Sequence, residues 1–489
     1  VIHDVIVVGS GAGGTSAASL LAREGLNTLL LDRSANPRDT VRSDGLMPQA
    51  VFWLERIGCA NDVLAAARGC IKASELYVDG KRLLAGRFPA DTMYPDFAIL
   101  IVRRRFDEIM LENAIAQGAK FEGHVIVRGF EYEDDGVRVF GERNRKPVEF
   151  RSRIVIGADG TSSAVSRAIG NNLKDGVLGL SVRTTYNNVR ADGAGIRVYF
   201  NREYFPSYGW MFVDDHGAAC VGIGCAADKN FPIAENLSDG LRRFIDADLK
   251  ETLADATRCG PFCGAISGYY RPSSVTADRV MLIGDAANLA DPLNRGGIHT
   301  AMESAVCATE ACLHAFSLGD FSRARLKRYE KLWSADFEPD WRMAEIFMSI
   351  VKNPNLKDLA MFALKQVGTL SASDPRFRDF VSSVFSGAVS QSAWLTPHAI
   401  YNAFPKDFAT WQALLRSNAG ASTGPAAGSL CLAFGAVSSI ANTGWGVMRT
   451  PLTSMNWGMD VAAKAIRLAD RQIRPPQTIE SLSLAGQEP

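Results

Sequence analysis

Short β-branched runs closed by glycines, separated by amphipathic stretches, fill the first two thirds of the chain. Residues 4–8 (DVIVV) form the continuous apolar run expected of a parallel strand buried on both faces. Residues 15–24 have helical character closed by Gly25, and 27–31 return to a strand that ends on Asp32. Further strands are predicted over 121–127, 153–156 and 280–283. Helices are predicted over 49–57 with Gly58 as the stop, over 103–117, and from 162 and 298 onward. Residues 73–100 alternate polar and apolar positions around Asp79-Gly80 and read as two strands of a second lobe, whereas 129–150 read as hairpins with charged turns. From 176 to 270 the pattern becomes short alternating runs at 180–187, 196–200, 208–213, 218–224 and 264–270, with a helix over 236–252. That is a separate mixed sheet. Beyond the 298–318 helix the chain reads as a helical tail, with patterned segments at 323–333 and 343–351. These elements predict an α/β protein with a discontinuous Rossmann-like domain over 1–72, 101–175 and 272–330. An interleaved mixed-sheet substrate domain takes 73–100 and 176–271, and a mainly helical region takes 331–489.

The glycines give the first domain its chemistry. Gly9-Ser10-Gly11-Ala12-Gly13-Gly14 follows the first strand directly and opens the first helix. In this βαβ setting Gly9 makes the tight turn, Gly11 lets backbone approach a pyrophosphate, Gly14 allows close helix–strand packing, and Asp32 reaches a ribose hydroxyl. Strand, glycines, helix, strand and acid in this order point to a dinucleotide. They do not separate NAD from FAD. A second device lies at 280–302, where an apolar strand runs into Gly284-Asp285-Ala286-Ala287, a kinked Asp291-Pro292-Leu293-Asn294-Arg295-Gly296-Gly297, and a helix from Ile298. Such a turn lets an acid hold a ribityl or ribose hydroxyl while Gly-Gly brings backbone N–H groups and a positive helix end against an electron-rich ring or a phosphate. An ordinary strand–turn–helix is the plainer reading of each segment taken alone.

Taken together, the motifs resemble a known family. Gly284-Asp285-Ala286-Ala287 with Pro292 and Gly296-Gly297-Ile298 resembles the second FAD motif of the p-hydroxybenzoate hydroxylase superfamily. The Asp291-Pro292-Leu293-Asn294 and Ala301-Met302-Glu303-Ser304 context is most similar to its geranylgeranyl reductase branch. Arg153–Gly160, with Asp159-Gly160 after a strand, resembles the third FAD signature, which implies Asp159 near the ribityl chain and pyrophosphate. The resemblance implies FAD contacts for Arg33, for Arg42 and Gly45 in the loop before the 49–57 helix, and for Arg103. It implies backbone contacts from Val125 to adenine. Apart from the resemblance, three adjacent arginines, 103–105, read as the start of a solvated helix, and a solvated loop cation is the alternative for Arg42. Where many geranylgeranyl reductases carry a cysteine, this chain has Ser43, a departure that weakens the transfer of any cysteine-dependent step. Pro206-Ser207-Tyr208-Gly209-Trp210-Met211-Phe212 resembles the family's Pro-x-Tyr-x-Trp-x-Phe element, although Val213 stands where proline usually follows. Alternation alone puts Tyr208, Trp210 and Phe212 on one strand face, as a wall for a long apolar chain or as a core-facing stripe.

The implied activity is an FAD-dependent oxidoreductase reducing carbon–carbon double bonds of an isoprenoid lipid by hydride transfer from reduced flavin. Tyr208 and Trp210 are the candidate catalytic and cavity residues, Tyr208 as proton donor. No second Gly-x-Gly-x-x-Gly is present, so NAD(P)H or a reduced carrier is expected as a transient electron donor. The alternative is a single-component monooxygenase of the same fold; Asn288, where hydroxylases often have histidine, leans against it. A quinone-linked electron-transfer flavoprotein ranks last, since its iron–sulfur cysteine set is missing.

Composition narrows the partners. The 53 basic and 53 acidic residues cancel, which leaves no nucleic-acid footprint. Nine cysteines with no Cys-x-x-Cys pair predict neither a disulfide framework nor a metal site, and a reducing cytoplasmic compartment. No signal peptide is expected, because the first apolar run belongs to the nucleotide motif. Residues 380–405 and 417–448 carry no Asp, Glu, Lys or Arg, but Gly, Ser and Asn are too frequent for a spanning helix. Burial against the other domains, a lid, or peripheral membrane contact are the expectations for this region.

Overall fold

The computed structural model describes residues 1–35, 43–90, 92–171, 178–227, 236–268, 274–291, 296–351, 353, 357–385 and 387. Its first sheet is built on strand Ile2–Val8, which pairs in parallel with Thr28–Leu31 on one side and with Lys146–Gly157 on the other. Val5, Ile6 and Val7 are fully buried, as a strand covered on both faces should be. Lys120–Glu122 and Val280–Leu282 extend the sheet at either side, again in parallel. Helices Ala12–Arg23 and Ile298–Leu318 pack against each other, and Arg103–Ala116 packs on the first of them. Strand Lys146–Gly157 serves two sheet types. Its first half pairs antiparallel with Gly136–Arg143 and its second half joins the parallel core.

The second sheet runs Thr257–Arg258, Leu178–Asn187, Ala219–Ala227, Tyr208–Val213, Gly195–Phe200, Ala73–Val78, Lys81–Arg87, with Cys263–Gly268 also on Leu178–Asn187. One face is closed by helix Leu237–Phe244, whose Leu241 and Phe244 bury against Met211, Val213, Val221 and Ile223. The other face looks toward the first sheet. A third, three-stranded sheet of Ser43–Leu46, Ala98–Val102 and Gly69–Ile71 lies between them, and the sequence pattern did not announce it.

Two expected elements differ in outline. The single strand over 121–127 is two strands, Lys120–Glu122 and Val125–Glu133, because His124 turns into the left-handed region at φ 59°. The segments at 323–333 and 343–351 are one helix, Arg323–Val351. Helices Lys357–Ser373 and Pro375–Phe385 pack on strands Ala73–Val78 and Lys81–Arg87, burying Met361, Leu364, Phe377 and Val381 against Leu76, Val78 and Phe200. Ser382 ties this pair down: its hydroxyl lies 2.7 Å from Ser74 Oγ and donates to Gly86 O at 2.9 Å. Among the described residues, no helix is long and apolar enough to cross a membrane. The charge-free stretches of the tail lie outside the described residues, apart from 380–385 and 387.

Candidate functional site

One cavity of about 650 Å³ runs from the first glycine motif to the front of the second sheet. At its nucleotide end Gly9 has φ +105°, and a Cβ there would fall 2.4 Å from Ala158 O. A Cβ on Gly14 would fall 1.7 Å from Gly9 O. These glycines are steric necessities, not flexible joints. Helix Ala12–Arg23 starts from Gly11 with no side-chain cap, so its first N–H groups are left for another acceptor. Asp32, 5% exposed, accepts from Ser10 N at 2.6 Å and Ser10 Oγ at 2.8 Å, and from Ser34 N at 2.8 Å. It thereby shapes the turn as well as facing the cavity. Val125 N donates to Asp32 O at 2.8 Å, which fixes Val125 in the same wall.

Asp159 accepts from Ser163 Oγ and from Ala164 N at 2.6 Å, and burial raises its pKa above the usual carboxylate value. Residues Gly284–Ala287 form a 3₁₀ turn that presents Asp285. Asp285 Oδ1 has no hydrogen-bond partner, and burial pushes the group up to about 6 while Arg103 pulls it down. A Cβ on Gly297 would lie 3.3 Å from that oxygen, so the carboxylate and the start of helix Ile298–Leu318 close on one spot. A buried carboxylate without a donor beside uncapped helix N–H groups fits a ligand that brings hydroxyls and an electron-rich ring, as FAD does.

Arg103 is buried in a network. Its Nη1 donates to Asp44 Oδ2 at 3.0 Å and its Nε to Asp107 Oδ1 at 2.9 Å, while Asp44 Oδ1 lies 3.2 Å from Arg183 Nη2 on the second sheet. Asp44 thus ties the start of helix Arg103–Ala116 to the second sheet through two cations. On the second sheet, Tyr208, Trp210 and Phe212 all line the cavity, whereas Gly209, Met211 and Val213 are buried behind the strand. Tyr208 stacks on Phe200 with ring centroids 5.8 Å apart and lies 5.9 Å from Trp210. Phe212 rests on Gly45, where a Cβ would come 3.3 Å from the ring.

The described residues nominated from the sequence, from Gly9 and Arg33 to Ile298, all line this cavity except Gly14, which packs beneath Gly9. Arg42 and Pro292 lie outside the described residues. Sequence reasoning missed Ser10, Asp44, Arg183 and His299. His299, in the first turn of its helix, is held neutral by burial, with its pKa down at about 4. Ser10 sits inside the first glycine motif, and Asp44 lies between Ser43 and Gly45. Arg183 gave no signal, since a charge on an alternating strand reads as solvent-facing.

Comparison with known proteins adds findings of three kinds. The profile of an FAD binding domain family matches residues 3–208. The digeranylgeranylglycerophospholipid reductase of Methanosarcina mazei is 30% identical over 379 residues, covering 74% of this chain and 88% of the relative. That of Methanosarcina acetivorans is 29% identical over 375 residues, covering 75% and 89%. Among solved structures, a geranylgeranyl bacteriochlorophyll reductase-like protein from Thermoplasma acidophilum superposes with a TM-score of 0.64 at 22% identity, over 85% of this chain and 98% of that one. The flavin-dependent brominase Bmp2 gives 0.65 at 18% identity, over 82% and 98%. At such identities the structural likenesses speak for the fold alone.

Proposed function

This chain belongs to the geranylgeranyl reductase family of FAD-dependent oxidoreductases, and from that premise we propose that it saturates carbon–carbon double bonds of an isoprenoid lipid. The observation that carries the proposal is that one cavity is lined both by Asp285 and Gly297 and by Tyr208, Trp210 and Phe212. FAD, once bound and reduced, supplies the hydride. The chain's own residues bind, orient and exclude water.

In this reading Gly9, Gly11, Ala12 and Gly13 receive the pyrophosphate against the start of helix Ala12–Arg23, and Gly14 lets that helix sit close. Asp32, Arg33 and Val125 face the adenosine end. Asp159 with Gly160, and Asp285 beside Gly284, take the hydroxylated chain. Gly296, Gly297 and Ile298 would hold the pyrimidine end of the ring, where backbone N–H groups would favour negative charge. Arg103, Gly45 and the two residues outside the described set, Arg42 and Pro292, complete the cofactor shell. The substrate chain lies along Phe200, Tyr208 and Trp210. The Tyr208 hydroxyl is our candidate for the proton that completes saturation. NAD(P)H or a reduced carrier would serve as the transient electron donor. The reductase names of the relatives support this reading over the monooxygenase alternative.

Product mass is the test. A product heavier by two hydrogens per saturated bond, formed under argon from reduced enzyme and a prenyl lipid, is the expected outcome. A product that forms only with oxygen and carries one added oxygen atom would replace the reading with the monooxygenase.

A further inference from the structure

On the side away from Ala219–Ala227, strand Leu178–Asn187 meets two short partners whose registers do not agree. Tyr186 stands opposite Arg258 and Asn187 opposite Thr257, whereas Arg183 stands opposite Cys263 and Val182 opposite Gly264. Continued from the first pairing, the ladder reaches Cys259, whose N–H donates to Thr185 O at 2.8 Å. Gly260, Pro261 and Phe262 are therefore all set against Thr184, whose hydroxyl donates to Gly260 O at 3.1 Å. The result is a wide bulge with a cysteine at each foot. Thr185 and Arg183 are two apart on their strand, so they share a face, and so do the residues opposite them. Two strand rises span about 6.6 Å, within the Cα separation that a disulfide bridges.

Neither thiol is committed elsewhere. Cys259 Sγ donates to Thr257 O at 3.3 Å and Cys263 Sγ to Pro261 O at 3.8 Å, both weak bonds to carbonyls of their own segment. Both cysteines are free and half-buried, whereas the other described cysteines are buried, apart from the exposed Cys70. Arg258 and Arg242 lie 5.1 and 5.7 Å from the centre of the Phe262 ring in the bulge. Arg242 is paired with Asp239 and Arg183 with Asp44, which leaves Arg258, next to Cys259, to attract an anionic oxidant. We infer that Cys259 and Cys263 form a reversible thiol–disulfide site that responds to low-molecular-weight disulfides such as that of glutathione. The Cys259 thiolate displaces one glutathione thiolate and keeps the other half as a mixed disulfide. Cys263 then attacks the Cys259 sulfur and releases the second glutathione. Two protein thiols give up two electrons and two protons, and one glutathione disulfide becomes two glutathione thiols. The bridge closes at the start of strand Cys263–Gly268, which supplies Ala265 and Ile266 to the cavity wall.

The test uses the full FAD-loaded chain in glutathione buffers of graded composition, quenched with N-ethylmaleimide and digested with trypsin. Because Arg271 precedes Pro272, residues 259–279 leave as one peptide that holds these two cysteines and no other. The peptide is expected to lose two hydrogens and escape alkylation. Since the second step is intramolecular, it should do so in buffers about tenfold more reducing than those in which Cys70 takes up glutathione. Dithiothreitol should restore both thiols. Cys263→Ser should stop at the mixed disulfide on Cys259, read as one added glutathione on the same peptide. A wild-type peptide with both cysteines alkylated throughout, or one that carries glutathione without ever closing, overturns the inference. So does a bridge that forms no more readily than Cys70 reacts. Should Cys263→Ser not fold, Cys259→Ser takes its place and must hold glutathione on Cys263; its failure to do so overturns the inference.

Discussion

The nucleotide end of the cavity is walled by glycine turns, uncapped helix N–H groups and the carboxylates of Asp32, Asp159 and Asp285. The end on the second sheet is walled by Phe200, Tyr208, Trp210 and Phe212, with Arg183 as the charged side chain that this sheet contributes among the described residues. A ligand rich in phosphates and hydroxyls needs donors and acceptors at fixed places. Turns without Cβ atoms supply them, so the residues are contiguous in sequence. An apolar chain needs width and surface instead, which come from cross-strand rows whose members are far apart in sequence.

The largest expected effect breaks the first end alone. Gly14→Val drives a side chain into Gly9 O and is expected to weaken FAD binding on the order of a hundredfold, read as flavin absorbance per chain after gel filtration. Next is the join between the ends. Asp44→Ala leaves Arg103 and Arg183 without their shared carboxylate, and should cost about 3 kcal/mol in a denaturant melt, because both cations are largely buried. Asp285→Asn sharpens the comparison by pH. The free carboxyl, raised to about 6, is favoured in its ionised form by hydroxyl donors, so FAD binding releases a proton and wild-type affinity falls as pH drops through that value. The Asn variant should bind about tenfold more weakly at neutral pH and show no such inflection, as FAD titrations across the range would record. The smallest effect concerns the helices beside the aromatic end. Ser382→Ala removes the contacts to Ser74 and Gly86 and should cost about 1 kcal/mol by thermal melt, with FAD content unchanged.

This contrast also explains what was legible in the chain. The parallel strands, the order of the glycine motifs and the face shared by Tyr208, Trp210 and Phe212 follow from local pattern, because buried strands and tight turns restrict residue type position by position. The break at His124 was hidden, since a left-handed histidine inside an apolar run carries no local signal. The small sheet around Ala98–Val102 was hidden too, because its three strands come from separate segments. Asp44 could be quoted within its loop but not given a role, for its work depends on an arginine from another sheet. Cys259 and Cys263 read as scattered thiols until register set them at the two feet of one bulge.

The measurement that tests the central claim most directly is an anaerobic single turnover, run side by side on wild type and Trp210→Ala. Each enzyme is reduced, then mixed with a prenyl lipid while flavin absorbance is followed. We expect wild-type flavin to reoxidise with one double bond saturated per flavin, and Trp210→Ala, with the same FAD content, to need about tenfold more lipid for the same rate. Flavin that stays reduced until oxygen is admitted, or a variant indistinguishable from wild type, would contradict the account.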